Sequence, residues 1–186
     1  LWQRRLVRAL LDSYYRYGCQ KIGDSPEEAR IYFSRARQIL TKYLTASDKL
    51  AREWSEKLQF ALLRAYFHAG NYRMAYSIGE KMSKIQQQPK SAWMLAVAAY
   101  YCDEKDALSR LAILQRQLPQ GTEKAIAVLY YQGMIWFQRQ NFGKALAYFR
   151  QALKQIAGQA DRYSFTASLY LHYCAAVLVD PNQSLA

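Results

Sequence analysis

Residues 126–159 read IAVLYYQGMIWFQRQNFGKALAYFRQALKQIAGQ, and this stretch decides the fold. Leu129, Gly133, Trp136 and Phe137 recur at intervals that line one face of a helix and scatter over both faces of a strand. Asn141 before Phe142 marks a restart, because its short amide side chain is suited to capping a second helix. In that second helix Ala145, Phe149 and Ala152 keep the same helical spacing. Gly133 and Ala145 are small enough to let two antiparallel helices approach closely, while Trp136 and Phe149 fill the space beside them. Such a hairpin buries only part of its apolar surface and must stack on another to bury the rest.

Similar punctuation runs along the whole chain. Gly and Pro break it at Gly18, Gly23-Asp24-Ser25-Pro26, Gly70, Pro89, Pro119 to Gly121, Gly158 and Asp180-Pro181, leaving stretches of ordinary helix length. No stretch alternates polar and apolar residues long enough to make a half-buried strand. Ser25-Pro26-Glu27-Glu28 combines a capping hydroxyl, a proline at the first helical position and a carboxylate able to reach back to the cap amide. Weaker starts are Thr45 with Asp48, Ser91 after Pro89, Asp103 with Asp106, and Asn141. These signals predict helices near 2–18, 26–44, 47–69, 72–87, 91–102, 104–118, 122–139, 142–157 and 161–179.

Aromatic residues late in alternate helices, Tyr66, Tyr100, Trp136 and Tyr170, are spaced by 34, 36 and 34 residues. A small residue opens the intervening helix at Ala29, Ala75, Ala107 and Ala145, and the Tyr100–Ala107 turn is two residues shorter than Tyr66–Ala75 and Trp136–Ala145. On these residues the chain resembles the tetratricopeptide repeat. The best copy has Leu129, Gln132-Gly133, Trp136, Ala145, Phe149 and Ala152, with Ala157 in place of a frequent proline. A second copy has Trp93, Ala96-Val97, Tyr100, Ala107, Leu111, Leu114 and Pro119. A third, with Gln59, Leu62-Leu63, Tyr66, Ala75, Gly79 and Met82, is degenerate at its start, and its Gly79 lacks the bulky side chain. At the N-terminus Ala29, Phe33 and Ala36 fit the second helix, while the first aligns only with an insertion around Gly18 to Asp24. Tyr163, Ala167 and Tyr170 fit the first helix of a fifth copy. The resemblance implies an all-α, right-handed α-solenoid of about four helical hairpins plus a C-terminal capping helix. It implies a single domain over 1–186, with repeats near 3–44, 47–88, 90–120 and 126–159 and a final helix at 160–179.

The 186 residues include 26 Lys and Arg against 14 Asp and Glu, a net charge of +12. The excess is +5 over 1–60, +4 over 61–120 and +3 over 121–186, too evenly spread for a phosphate-tracking surface, so nucleic acid is not an expected partner. The densest cluster, Arg4, Arg5, Arg8 and Arg16, suits either an acidic partner or a solvated helix face. The longest apolar run, Ala92 to Cys102, falls far short of the roughly 20 residues that a membrane span needs. Cys19, Cys102 and Cys174 are odd in number and widely spaced, which fits neither a disulfide framework nor a metal site and suits a reducing, cytoplasmic location. His68 and His172 have no Cys or carboxylate pair at plausible local spacing, and no phosphate loop or nucleophile motif occurs. No enzymatic activity, metal or cofactor is expected. The abrupt start at Leu1-Trp2-Gln3-Arg4 suggests a fragment of a longer chain.

The resemblance further implies that a partner binds the concave face, lined by the first helix of each repeat. Its positions here are Phe60, Arg64 and Phe67 with His68; Met94, Ala98 and Tyr101; and Tyr130, Met134 and Phe137. This face lacks the Lys and Asn with which some members of the family hold the C-terminal carboxylate of heat-shock chaperones. Its aromatic and Met-rich lining suits apolar anchors on a peptide or helix, although each of these aromatics equally suits packing between repeats. The expected function is a non-catalytic protein–protein interaction scaffold. Alternatives are a secretion-type chaperone, or a regulatory or oligomerisation domain of a larger, bacterial-type transcriptional regulator. Homodimerisation is expected to use the terminal helix, with Tyr163, Phe165, Tyr170, Leu171 and Tyr173.

Overall fold

The computed structural model describes residues 2–45, 47–82, 89–157 and 163–179. Among the described residues there are nine α-helices and no strand. They are α1 (Trp2–Lys21), α2 (Pro26–Tyr43), α3 (Lys49–His68), α4 (Tyr72–Glu80), α5 (Pro89–Tyr101), α6 (Ala107–Gln117), α7 (Glu123–Gln138), α8 (Phe142–Ile156) and α9 (Thr166–Val179). The chain divides into two compact units, Leu1–Cys102 with α1 to α5 and Asp103–Ala186 with α6 to α9. Within each unit consecutive helices pack on one another, the hairpin arrangement that the repeat implies. The boundary at Cys102 falls inside the predicted repeat 90–120. The predicted helix 72–87 stops at Glu80, with Lys81 as its C-cap, and the predicted helix 161–179 begins only at Thr166. Residues 83–87 and 161–162 of those spans, and the breaks at Gly158 and Asp180-Pro181, lie outside the described residues.

Two of the hairpin turns are built identically from different residues. After α3, Gly70 takes a left-handed φ of 71°, and after α7, Gln140 takes 57°. The following Asn71 and Asn141 each donate a backbone N–H back to Tyr66 and Trp136, both at 2.9 Å. Their side-chain oxygens then accept from Met74 N and Lys144 N, each at 3.2 Å, and so cap α4 and α8. The shorter turn after α5 has its left-handed residue at Asp103, with φ 56°. That reversal delays α6 to Ala107, three residues later than the predicted start.

Three local expectations need correcting. First, α1 does not end at Gly18 but continues to Lys21. Gly18 is buried where α2 crosses, and a Cβ there would overlap the ring of the fully buried Phe33. Gly133 serves α7 in the same way against Phe149. The N-terminal copy therefore aligns without an insertion, with one residue fewer between glycine and phenylalanine than in 126–159. Second, Ser25 makes no side-chain capping bond. Its N–H donates to the Lys21 carbonyl at 2.8 Å, and the Glu28 carboxylate pairs with the Lys21 ammonium at 3.2 Å instead of reaching the cap. Third, α3 is capped by Asp48 rather than Thr45, the carboxylate accepting from Leu50 N at 2.9 Å.

Candidate interaction site

In the first unit, Phe60, Arg64 and Phe67 follow one another along a single face of α3, all half-buried. The Arg64 guanidinium stands 6.0 Å from the Phe60 ring centre, close enough for a cation–π contact. His68 is exposed, with its ring edge-on to Phe67 at 6.0 Å. Tyr72, which opens α4, packs edge-on against Phe67 at 5.6 Å and stacks on Tyr101 at 4.2 Å with 10° between the planes. Burial holds the Tyr72 hydroxyl pKa above its ordinary value, and neighbouring Tyr101 raises it further. Tyr101 itself keeps 52% of its surface exposed.

Met94 and Ala98 sit differently. They are only 6% and 0% exposed and belong to the buried cluster of Leu63, Ala75 and Leu95, with Phe60, Phe67 and Tyr72 packed against it. One helical turn apart on α5, they occupy the side that meets α3 and α4. They support this part of the expected lining from below and do not form its surface.

In the second unit, Tyr130, Met134 and Phe137 line α7, half-buried against a core of Leu129, Ala145, Leu146 and Phe149. The Tyr130 ring stacks on Phe165 at 6.1 Å and meets His172 at 5.7 Å. Phe137 meets Phe142 at 5.5 Å and the same His172 at 6.2 Å. His172 Nδ1 lies 2.7 Å from the Ser168 carbonyl oxygen and 3.2 Å from the Tyr130 hydroxyl. A carbonyl can only accept, so Nδ1 carries the proton and the Tyr130 oxygen is a second acceptor. The histidine is thus a bracket between α7 and α9. Sequence reasoning did not include His172 in the binding face and gave Phe165 only to the terminal-helix contact. The repeat register sets Leu171, not His172, at the place of Phe137, so it carried no signal for the histidine.

The arginine cluster of α1 is partly neutralised. Arg4 pairs with Asp48, and Arg16 with Asp12 at 2.8 Å. None of the three cysteines forms a disulfide, and Cys174 is exposed. Among the described residues no three of His, Cys, Asp and Glu gather closely enough to hold a metal ion, and no helix is long and apolar enough to cross a membrane.

Residues 126–156, which run from within α7 to the end of α8, match the family model of the tetratricopeptide repeat. No curated protein and no solved structure matches the chain. The match falls on the hairpin whose packing Gly133 and Phe149 set. A repeat of this kind indicates a protein–protein interaction scaffold, and no subfamily is identified.

Proposed function

We propose that the chain is a non-catalytic scaffold that holds a peptide segment or helix of a partner protein on the first-helix faces of its hairpins. The observation carrying this reading is the repeat match on a hairpin whose first helix keeps Tyr130, Met134 and Phe137 together and half-buried. In the first unit the corresponding contacts are Phe60, Arg64, Phe67, His68 and Tyr101, underlain by Met94 and Ala98. Aromatic rings and thioethers offer large apolar contact area, and the Met side chain adapts to irregular partners. Affinity purification of the intact protein with mass spectrometry tests the reading. Partners retained by the wild type are expected to be lost from Met134→Glu and from Arg64→Glu, with helical circular dichroism unchanged. Retention by both variants overturns the assignment. Met94→Glu is the contrasting case: a charge placed in that core is expected to unfold the first unit rather than only release the partner.

A second reading, oligomerisation through α9, is favoured by one specific observation. The helix has no charged side chain, and it exposes Tyr170, Leu171, Leu178 and Val179. In the repeat register Ala167 and Tyr170 occupy the places that Gly133 and Trp136 hold in α7, where α8 packs. Among the described residues no helix follows α9 to cover them. A second copy laid on this face would bury it. Light scattering is expected to show a dimer that Leu171→Glu with Leu178→Glu converts to monomer; a wild-type monomer at high concentration overturns this reading.

A further inference from the structure

A cleft of about 400 Å³ lies between α2, α3 and α4, wholly within the first unit. One wall is an α2 stripe containing Ser34, Arg37 and Gln38, and the facing wall is Met74 and Ser77 of α4 with Lys81, its C-cap. The floor is α3, with Leu62 buried and Tyr66 half-buried. The walls belong to the second helices of successive hairpins, so this surface is separate from the first-helix faces. Met74 is 41% exposed, an unbranched apolar side chain at the edge of an apolar floor.

The charges in the cleft are one-sided. Arg37 and Lys81 stand on opposite walls, and among the described residues no Asp or Glu lines the space between them. Arg30, one turn before Ser34, is already engaged: it pairs with Glu27 at 2.8 Å and lies 5.7 Å from the Tyr66 ring centre. A simple anion would use the two cations but leave Leu62 and Met74 without a role. The hydroxyl and amide groups of Ser34, Gln38 and Ser77 suit the donors and acceptors of a peptide backbone. An α2 wall from Ser34 to Thr41 extends about 10 Å, the span of about three extended residues.

We infer that the cleft docks a short acidic peptide segment of a partner protein. One aliphatic or aromatic side chain of that segment sits over Leu62 and Met74, and carboxylates on either side of it pair with Arg37 and Lys81. Selection from a randomised displayed-peptide library on the intact protein tests this. Enriched peptides are expected to carry Asp or Glu on both sides of one large apolar residue. Their affinity is expected to fall about tenfold in Arg37→Glu with Lys81→Glu, and less in Arg37→Gln with Lys81→Gln. Both pairs replace exposed residues, so the thermal midpoint is expected to stay unchanged. A selection that enriches nothing, peptides without acidic bias, or binding that survives the charge reversal overturns the inference. Peptides lost only in Met134→Glu overturn it as well, and would assign binding to the first-helix face.

Discussion

In the α7–α8 hairpin Gly133 lies against Phe149, and in the α1–α2 hairpin Gly18 lies against Phe33, each phenylalanine being fully buried. Ala29 and Ala36 frame Phe33 at the spacing by which Ala145 and Ala152 frame Phe149. The packing is therefore the same, yet only the second hairpin can be read along its whole length. Near the N-terminus the glycine comes one residue closer to its partner and stands among polar and tyrosine neighbours, where it passes for a break. What is shared is a contact between one missing Cβ and one ring. The α3–α4 hairpin varies the same theme: Leu63 takes the register position of Gly133, Gly79 takes that of Phe149, and both are buried. Large and small residues have changed helices, which erases the motif.

The comparison breaks most visibly if the two rings are removed. Phe33→Ala and Phe149→Ala are each expected to cost about 3–5 kcal/mol, measured by denaturant unfolding. A large loss at one site only would show that the two hairpins do not share a keystone. Next in size, Gly18→Ala and Gly133→Ala are each expected to cost about 1–3 kcal/mol, since the added methyl must displace a ring held in a packed core. A neutral Gly18→Ala would return that glycine to the role of a helix break.

The two identical turns offer a finer comparison. Gln140 holds a left-handed backbone that Gly70 adopts freely, so Gln140→Gly is expected to raise stability by up to about 1 kcal/mol. A lowered melting temperature would mean that the Gln140 side chain matters more than its backbone. The smallest effect concerns alkaline pH. Tyr72 has its folded pKa raised above the ordinary value of 10.0, so between that value and the folded pKa the unfolded chain loses the proton first. Stability should accordingly decline as the pH climbs past about 10, and Tyr72→Phe should shallow that decline in pH-dependent melting.

Helix existence was legible in the sequence because periodicity and caps are local, and the shortened turn before Ala107 followed from counting residues. Helix ends were less so. Where α1 stops depends on Phe33 of another helix, and Glu28 was drawn from its cap by an ammonium at the end of the preceding helix. The candidate site divides the same way. Register set the expected residues along α3, α5 and α7, but whether Met94 and Ala98 open to solvent depends on how α3 and α4 close over α5. For the same reason Tyr170, aligned with packed aromatics, remains 48% exposed: among the described residues no helix follows α9 to cover it.

Trp136 is the sole tryptophan from Asp103 onward. The Lys144 ammonium stands 4.2 Å from its ring centre and the Arg139 guanidinium 5.6 Å, while its buried Nε1 has no hydrogen-bond partner among the described residues. An indole so placed is a natural optical gauge of the second unit. With Trp2, Trp54 and Trp93 changed to phenylalanine, its emission colour would register any movement of the α7–α8 turn, without an attached dye.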